Sequence, residues 1–430
     1  MERLMQYVWQ HRLLVQTDMH TTDGERIVII DPGRLNTASG PDFFNAKVQI
    51  GSRVWAGDVE IHVRATDWHR HGHDADPAYD SVVLHVVDTD DGRISRRNGE
   101  VIPQMVMRCR SDFHRSYAAL TERADRDLPC HEWIKAMPQL HMTDWMTSLA
   151  YERVYYKADR IMELLSEYAG NWEEVGYITL ARALGFGLNA EPMERLARAL
   201  PMHFLRKHAD DVTALEGLLL GQAGLLQQSP DIHDPYLITL RREHQFYQAK
   251  FSLLPLQPLG WKMSGIRPQS FPYRRIAYLA ALIHDDSRFA STLLSLGGIA
   301  EAIAFFQRPV EGFWARHYTF GRTLDTPLSG LSRTAAIGMV INVVVPLIMA
   351  HGMATGRDER LTQAMEMLQA LPSERNVIID LFTRAGVGCR DAFTSQALIH
   401  LRRMYCEPRR CLFCRVGHRM LAATARRRDA

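Results

Sequence analysis

The chain has 430 residues, of which 46% are hydrophobic, 23% charged and 9% aromatic, and its formal net charge is +2. This profile excludes a disordered or low-complexity polypeptide, and the length exceeds what one core usually supports, so two folded domains are the default expectation. A nearly balanced charge leaves the question of a nucleic-acid partner to local patterning.

In chain order, the opening MERLMQYVWQHRLL places Trp9, Leu13 and Leu14 on one side of a helix, with polar residues opposite. It lacks the continuous apolar core and small-residue cleavage site of a signal peptide, so a cytoplasmic location is expected. Residues 25–30, 44–50, 54–64, 81–87 and 102–107 read as strands separated by Asp, Gly and Ser breaks. A helix followed by such strands predicts a modest α/β domain with a mixed sheet over residues 1–120. After a linker at 121–140, residues 141–430 carry apolar positions at helical spacing. The segments 145–168, 190–208, 211–226, 236–251, 274–283, 290–306, 332–350 and 360–371 predict a predominantly α-helical second domain. The apolar run 336–350 is interrupted by Asn342 and Pro346 and is shorter than the roughly 20 residues of a membrane span, so a buried helix and no membrane partner are expected.

Chemistry-bearing side chains concentrate between Gly40 and His85. If 54–64 is a strand, Asp58, Glu60, His62 and Arg64 share one face, while Trp55, Val59, Ile61 and Val63 share the other. A two-residue turn at Gly51-Ser52 would pair Asp42 with Ile61, on the wrong face. A three-residue connection or a single bulge pairs Asp42 with Glu60 and brings both carboxylates to one point. Two carboxylates there suit magnesium or manganese, and His62, along the same face, is placed to orient or deprotonate a water. His69, His71 and His73 are candidates for metal ligation, phosphate binding or proton transfer. The plainer reading has Asp67, Asp74 and Asp76-Pro77 capping turns under solvated histidines. His85 lies in an otherwise apolar strand, where an imidazole needs a partner, and is expected beside Glu60 and His62. The loop Arg267-Pro268-Gln269-Ser270-Phe271-Pro272-Tyr273-Arg274-Arg275 reads as a packing element.

Pro41-Asp42 followed across a hairpin by Glu60-x-His62, after an N-terminal helix, resembles the PD-(D/E)XK nuclease superfamily over the first quarter of the chain. That resemblance implies a restriction-endonuclease-like fold, Asp42 and Glu60 as metal ligands, and phosphodiester hydrolysis on nucleic acid. His62 stands where the superfamily has a lysine, and a histidine there shifts metal preference toward manganese or zinc. Further segments resemble a bacterial domain-of-unknown-function family over nearly the full length. They are Gly40-Pro41-Asp42-Phe43, Val59-Glu60-Ile61-His62, Asp67-Trp68-x-x-His71-x-His73-x-x-Asp76-x-x-Tyr79, Leu84-His85-Val86-Val87, Arg267-Pro268-x-x-Phe271-Pro272, and Cys406, Cys411 and Cys414.

Those cysteines, Cys406-x4-Cys411-x2-Cys414, have metal-knuckle spacing and need a fourth ligand. Cys389 is the first choice, with His418 and Cys130 as alternatives. Zinc would make the site a structural clip; an iron-sulfur cluster matches a theme among related nucleases. Arg402, Arg403, Arg409 and Arg410 surround the cluster and form a candidate phosphate-backbone footprint. The expected function is a metal-dependent nuclease. The alternatives are a non-catalytic nucleic-acid-binding protein and a manganese or zinc hydrolase of a small molecule.

Overall fold

The computed structural model describes residues 1–14, 18–36, 39–108, 111–122, 128–227, 233–254, 256, 260–321, 323–328 and 330–426. Cys109 and residues 123–127 of the expected linker at 121–140 lie outside them. The chain forms two compact units. The first comprises Met1–Met142, Leu381–Val387 and Leu401–Ala430; the second comprises Thr143–Asp380 and Gly388–His400.

The first unit is the expected α/β fold with a mixed sheet. Helix α1 (Glu2–Gln10) is followed by strands β1 (Met19–His20), β2 (Arg26–Asp31), β3 (Arg34–Leu35), β4 (Phe43–Ile50) and β5 (Arg53–Arg64). After the short helix α2 (Asp67–Arg70) come β6 (Val82–Thr89), β7 (Gln104–Val106), α3 (Ser111–Glu122) and α4 (His131–Lys135). The sheet order is β1-β2-β4-β5-β6-β7, with β3 paired to β4. The β2, β4 and β5 pairings are antiparallel, whereas β5, β6 and β7 run parallel. Leu4, Met5, Val8 and Trp9 of α1 join Val59, Ile61, Leu84, Val86 and Met105 in one apolar core, so alternation turns Glu60, His62 and His85 to the other face. The two-residue strands β1 and β3 were not foreseen, because they are too short to show periodicity.

Leu412 and Leu421 also belong to this core, and the C-terminal helix Arg415–Arg426 packs on α3 and α4. The last thirty or so residues therefore group with the α/β unit and not with the helical region expected at 141–430. Val416 is buried with Leu421 despite the surrounding arginines, which hide the apolar stripe in the sequence.

The second unit is helical. The predicted helix 190–208 divides at Pro201 into Ala190–Ala199 and Met202–Arg206, and 290–306 divides around Gly297-Gly298 into Phe289–Ser295 and Ile299–Phe306. Conversely, 332–350 extends to one helix, Arg333–Thr355, whose length and apolarity would suffice to cross a membrane; 72% of its most apolar window is buried. Its π-helical turn Val340–Val344 precedes Pro346, which cannot donate to the carbonyl four residues back. Lys157 Nζ donates to Asn342 Oδ1 at 2.9 Å in this widened turn. The Arg267–Arg275 loop does pack: the Arg275 guanidinium lies 4.4 Å from the Phe186 ring centre.

Candidate metal centre

The β4–β5 hairpin contains the bulge that joins the two carboxylates. Its turn sets Ile50 opposite Arg53 and Ala46 opposite Gly57, the register that would send Asp42 to Ile61. Between Ala46 and Phe43 the register shifts by one, so that Phe43 faces Val59. Asn45 sits in this bulge with φ 56°, a left-handed conformation that asparagine tolerates, and its N–H donates to Asp58 Oδ1 at 2.9 Å. Beyond the bulge the Asp42 N–H donates to Glu60 Oε2 at 2.9 Å. Both oxygens of Asp42 accept hydrogen bonds, Oδ1 from Gln6 Nε2 at 2.9 Å and Oδ2 from the Ile61 N–H at 3.1 Å.

Glu60 Oε1 is left facing the histidines. It lies 3.4 Å from both His62 Nε2 and His73 Nε2, and His62 Nε2 lies 3.2 Å from His71 Nδ1. One nitrogen from each of His62, His71 and His73 falls within 4.8 Å of the others. His62 comes from β5, but His71 and His73 come from the loop after α2, where Gly72 adopts φ +76° between them. That loop is held by short-range bonds: the His73 N–H donates to the Trp68 carbonyl at 3.1 Å, and Asp76 caps the turn Pro77–Tyr79 through the Ala78 N–H. Buried Trp68 and Tyr79 cover the cluster, with Tyr79 stacked on His73 at 3.7 Å. The cap at Asp76 and the bond from the Arg64 N–H to Asp67 thus coexist with a covered His73, whereas Asp74 pairs with His69 at 3.1 Å in a solvated position.

Behind His62 lie two buried partners, His85 and Gln104, and then the exposed Asp90. Gln104 Nε2 donates to Asp90 Oδ1 at 2.7 Å, which fixes the amide so that Gln104 Oε1 faces His85 Nδ1 at 3.1 Å. An amide oxygen only accepts, so His85 carries its proton on Nδ1 and accepts on Nε2. Its Nε2 lies 2.8 Å from His62 Nδ1, which must donate, leaving His62 Nε2 as a lone pair turned to the cluster. His85 is therefore one step removed from the cluster, where it sets the His62 tautomer, and is not placed among the converging atoms. Gln104 and Asp90 were missed in the sequence; the available signal was a glutamine inside the apolar strand Gln104–Val106, where it is 5% exposed.

Electrostatics agree with this picture. Burial, reinforced by His85, His73 and His71, holds His62 neutral far below the usual imidazole range, and burial lowers His85 to about 4. Burial also raises the carboxyls of Asp42 and Glu60, with the Glu60 charge adding to the rise at Asp42. Neutral imidazoles are the state that binds a transition metal, whereas the raised carboxyl of Glu60 favours the neutral acid and would have to give up its proton as an ion bound.

The cysteines divide between the units. Cys389 belongs to the second, where its thiol donates to the Asp391 carbonyl at 3.9 Å, so it is not grouped with Cys406, Cys411 and Cys414 of the first unit. Among the described residues, the cysteine that shares the first unit with those three and interacts electrostatically with Cys406 is Cys130, one of the expected alternatives. His418, the other alternative, engages the Tyr7 hydroxyl through Nδ1 at 2.7 Å. Burial pushes the Cys130 thiol up to about 12 and Cys411 up to about 11, each raised further by other cysteines. Among the arginines, Arg402 pairs with Glu407 at 3.4 Å, whereas Arg403, Arg409 and Arg410 are exposed.

A mixed α/β unit carrying a buried histidine-carboxylate cluster, followed by a mostly helical region, defines the class of this protein. The chain belongs to the family described as a protein of unknown function (DUF2851), whose model matches residues 2–377. The matched span contains the whole histidine-carboxylate cluster and ends before Cys406. No curated protein and no solved structure matches the chain.

Proposed function

We propose that this protein is a transition-metal-dependent hydrolase of phosphodiesters, acting on nucleic acid from a restriction-endonuclease-like N-terminal unit. The observation that carries this reading is the series Asp90, Gln104, His85, His62, which leaves an unprotonated His62 Nε2 beside Glu60 Oε1, His71 and His73. Metal-ligating histidines are held in this way, the second ring nitrogen fixed by a buried partner. Glu60, His62, His71 and His73 would hold the ion; Asp42 positions Glu60 through its N–H and is itself held by Gln6 and Ile61.

Three imidazoles and one carboxylate favour manganese, iron(II) or zinc over magnesium. When bound, such an ion lowers the pKa of water and polarises a phosphoryl oxygen. The phosphodiester assignment is supported by Asp42 and Glu60-x-His62 facing each other across a hairpin after α1, as the nuclease resemblance implies. It is also supported by the exposed edge of the cluster, where His71 is exposed and Arg70 lies 3.5 Å from it.

The test is metal analysis of the full chain with cleavage of labelled DNA, RNA and a simple phosphodiester in manganese, zinc or magnesium. Manganese- or zinc-dependent cleavage that is lost in Glu60→Gln and His73→Ala, with the fold intact, is expected. Equal cleavage by wild type and both variants, or a wild type that neither binds an ion nor cleaves, would overturn the proposal.

A further inference from the structure

Beyond the histidine cluster, the described residues of the first unit include four cysteines. We infer that Cys130, Cys406, Cys411 and Cys414 form a tetrathiolate metal site that clips the returning C-terminal segment onto the α/β unit. All four belong to that unit and carry free thiols. Every pair among them is close enough to interact electrostatically: Cys130 with Cys411 and Cys414, Cys406 with the other three, and Cys411 with Cys414.

Local backbone geometry brings the C-terminal three together. Arg409, at φ 57°, turns the chain back with its N–H on the Cys406 carbonyl at 3.1 Å. Cys411–Phe413 form a tight 3-10 turn that places the Cys414 N–H 3.3 Å from the Cys411 carbonyl. The helix Arg415–Arg426 then starts directly on this knuckle. A Cβ at Gly417 would lie 2.1 Å from the Cys411 carbonyl oxygen, so only glycine allows that approach. The same helix packs against α4, whose N-cap residue is Cys130.

Thiols are poor hydrogen-bonding groups, and four of them, one buried and three half-buried, gain little from one another as neutral SH. Loss of the thiol protons to a thiophilic cation converts the group into four strong donors around one positive centre. A sulfur-only set selects zinc or an iron-sulfur cluster, and the x4 and x2 spacing serves both. The clip would join a residue near position 130 to the segment after 406, closing a long loop, and would hold Leu412, Val416 and Leu421 in the core.

The experiment is elemental analysis and absorption spectroscopy of the full chain, purified without oxygen and carrying His73→Ala so that the histidine cluster does not contribute. About one zinc per chain identifies a zinc clip; iron with acid-labile sulfide and visible absorbance identifies a cluster, and either supports the site. Cys130→Ser is expected to lower the content at least tenfold, while Cys389→Ser leaves it unchanged. Because Cys130→Ser can fail to fold, iodoacetamide labelling of the unmutated cysteines is read in parallel. Cys130, Cys406, Cys411 and Cys414 should be protected and become reactive together when a chelator is added. A chain without zinc or iron, thiols whose reactivity ignores the chelator, or metal lost in Cys389→Ser but kept in Cys130→Ser would overturn the assignment.

Discussion

Replacing His85 by leucine isolates the tautomer-setting step from the ligands themselves. His85 is fully buried and bonded on both ring nitrogens, to Gln104 Oε1 at 3.1 Å and to His62 Nδ1 at 2.8 Å. Leucine fills similar space but strands one buried acceptor and one buried donor, at about 1–3 kcal/mol each, offset by roughly 2 kcal/mol of apolar transfer. The net cost to folding is therefore about 0–4 kcal/mol. For metal binding, loss of such a supporting partner weakens affinity about 10- to 100-fold. At manganese equal to about 100 times the wild-type Kd, binding stabilises the wild-type fold by about 2.7 kcal/mol, and the variant by only about 1.4 to 0.4 kcal/mol. Manganese suits the imidazole-carboxylate set and not the cysteines, so calorimetric titration and the manganese-induced rise in melting temperature report this cluster alone. His85→Gln, which can still accept from His62 and donate to Gln104, should recover most of the affinity. Unchanged manganese affinity in His85→Leu would refute the argument that the buried series prepares His62 as a ligand.

Other consequences separate the structural elements around the site. Asp58 accepts from the Asn45 N–H at 2.9 Å and from the Ser81 hydroxyl at 2.6 Å, so Asp58→Ala should cost about 1–3 kcal/mol in urea unfolding and weaken manganese binding by loosening the bulge. An intact affinity would separate the bulge from the site. In the second unit, Glu216 is 3% exposed and accepts from Tyr236 and Trp314, and burial raises its carboxyl from 4.5 to about 7. The folded state then holds a proton that the unfolded chain releases, so stability falls as pH rises from about 4.5 to about 7 and is flat above, by up to roughly 3 kcal/mol from this residue. Glu216→Gln should remove that slope in unfolding measured from pH 4.5 to 8; an unaltered slope would place its origin elsewhere. Gly417→Ala should push the C-terminal helix off its knuckle and make the segment after 401 sensitive to brief proteolysis, whereas resistance equal to wild type would show that the close approach can relax.

How far the sequence carried the site depended on the range of the interactions. Period-two alternation was enough to set Glu60 and His62 on one face, and turn length was enough to show that Asp42 needed a bulge, because both are local properties of a hairpin. The apolar context of His85 signalled a partner, but not that Gln104, nineteen positions away, would supply it through a parallel pairing. His71 and His73 were ambiguous for a different reason. Their loop has the composition of a solvated turn, and Asp76 does make the expected local cap; Trp68 and Tyr79 pack on His73 and cover it, while His71 stays exposed at the edge.

The cysteines show the same limit at longer range. Spacing identified the Cys406, Cys411 and Cys414 knuckle, and proximity in sequence then favoured Cys389 as the fourth member. Sequence distance is a poor guide once a chain returns to an earlier unit, because the cost of closing a loop grows only slowly with its length, by about 0.6 kcal/mol per doubling. Leu412 and Leu421 repay that closure by burial in the core built on α1, Val416 is buried as well, and the segment brings the knuckle to the unit that contains Cys130. The arginines that made the tail look like a solvated terminus, or a phosphate footprint, occupy the outer positions of the same segment, with Arg403, Arg409 and Arg410 exposed. Folding of the tail and any role in binding polyanions are therefore coupled: releasing the knuckle would disperse those charges, so a loss of nucleic-acid affinity in a cysteine variant has to be judged against the tail's resistance to proteolysis before it is assigned to the arginines.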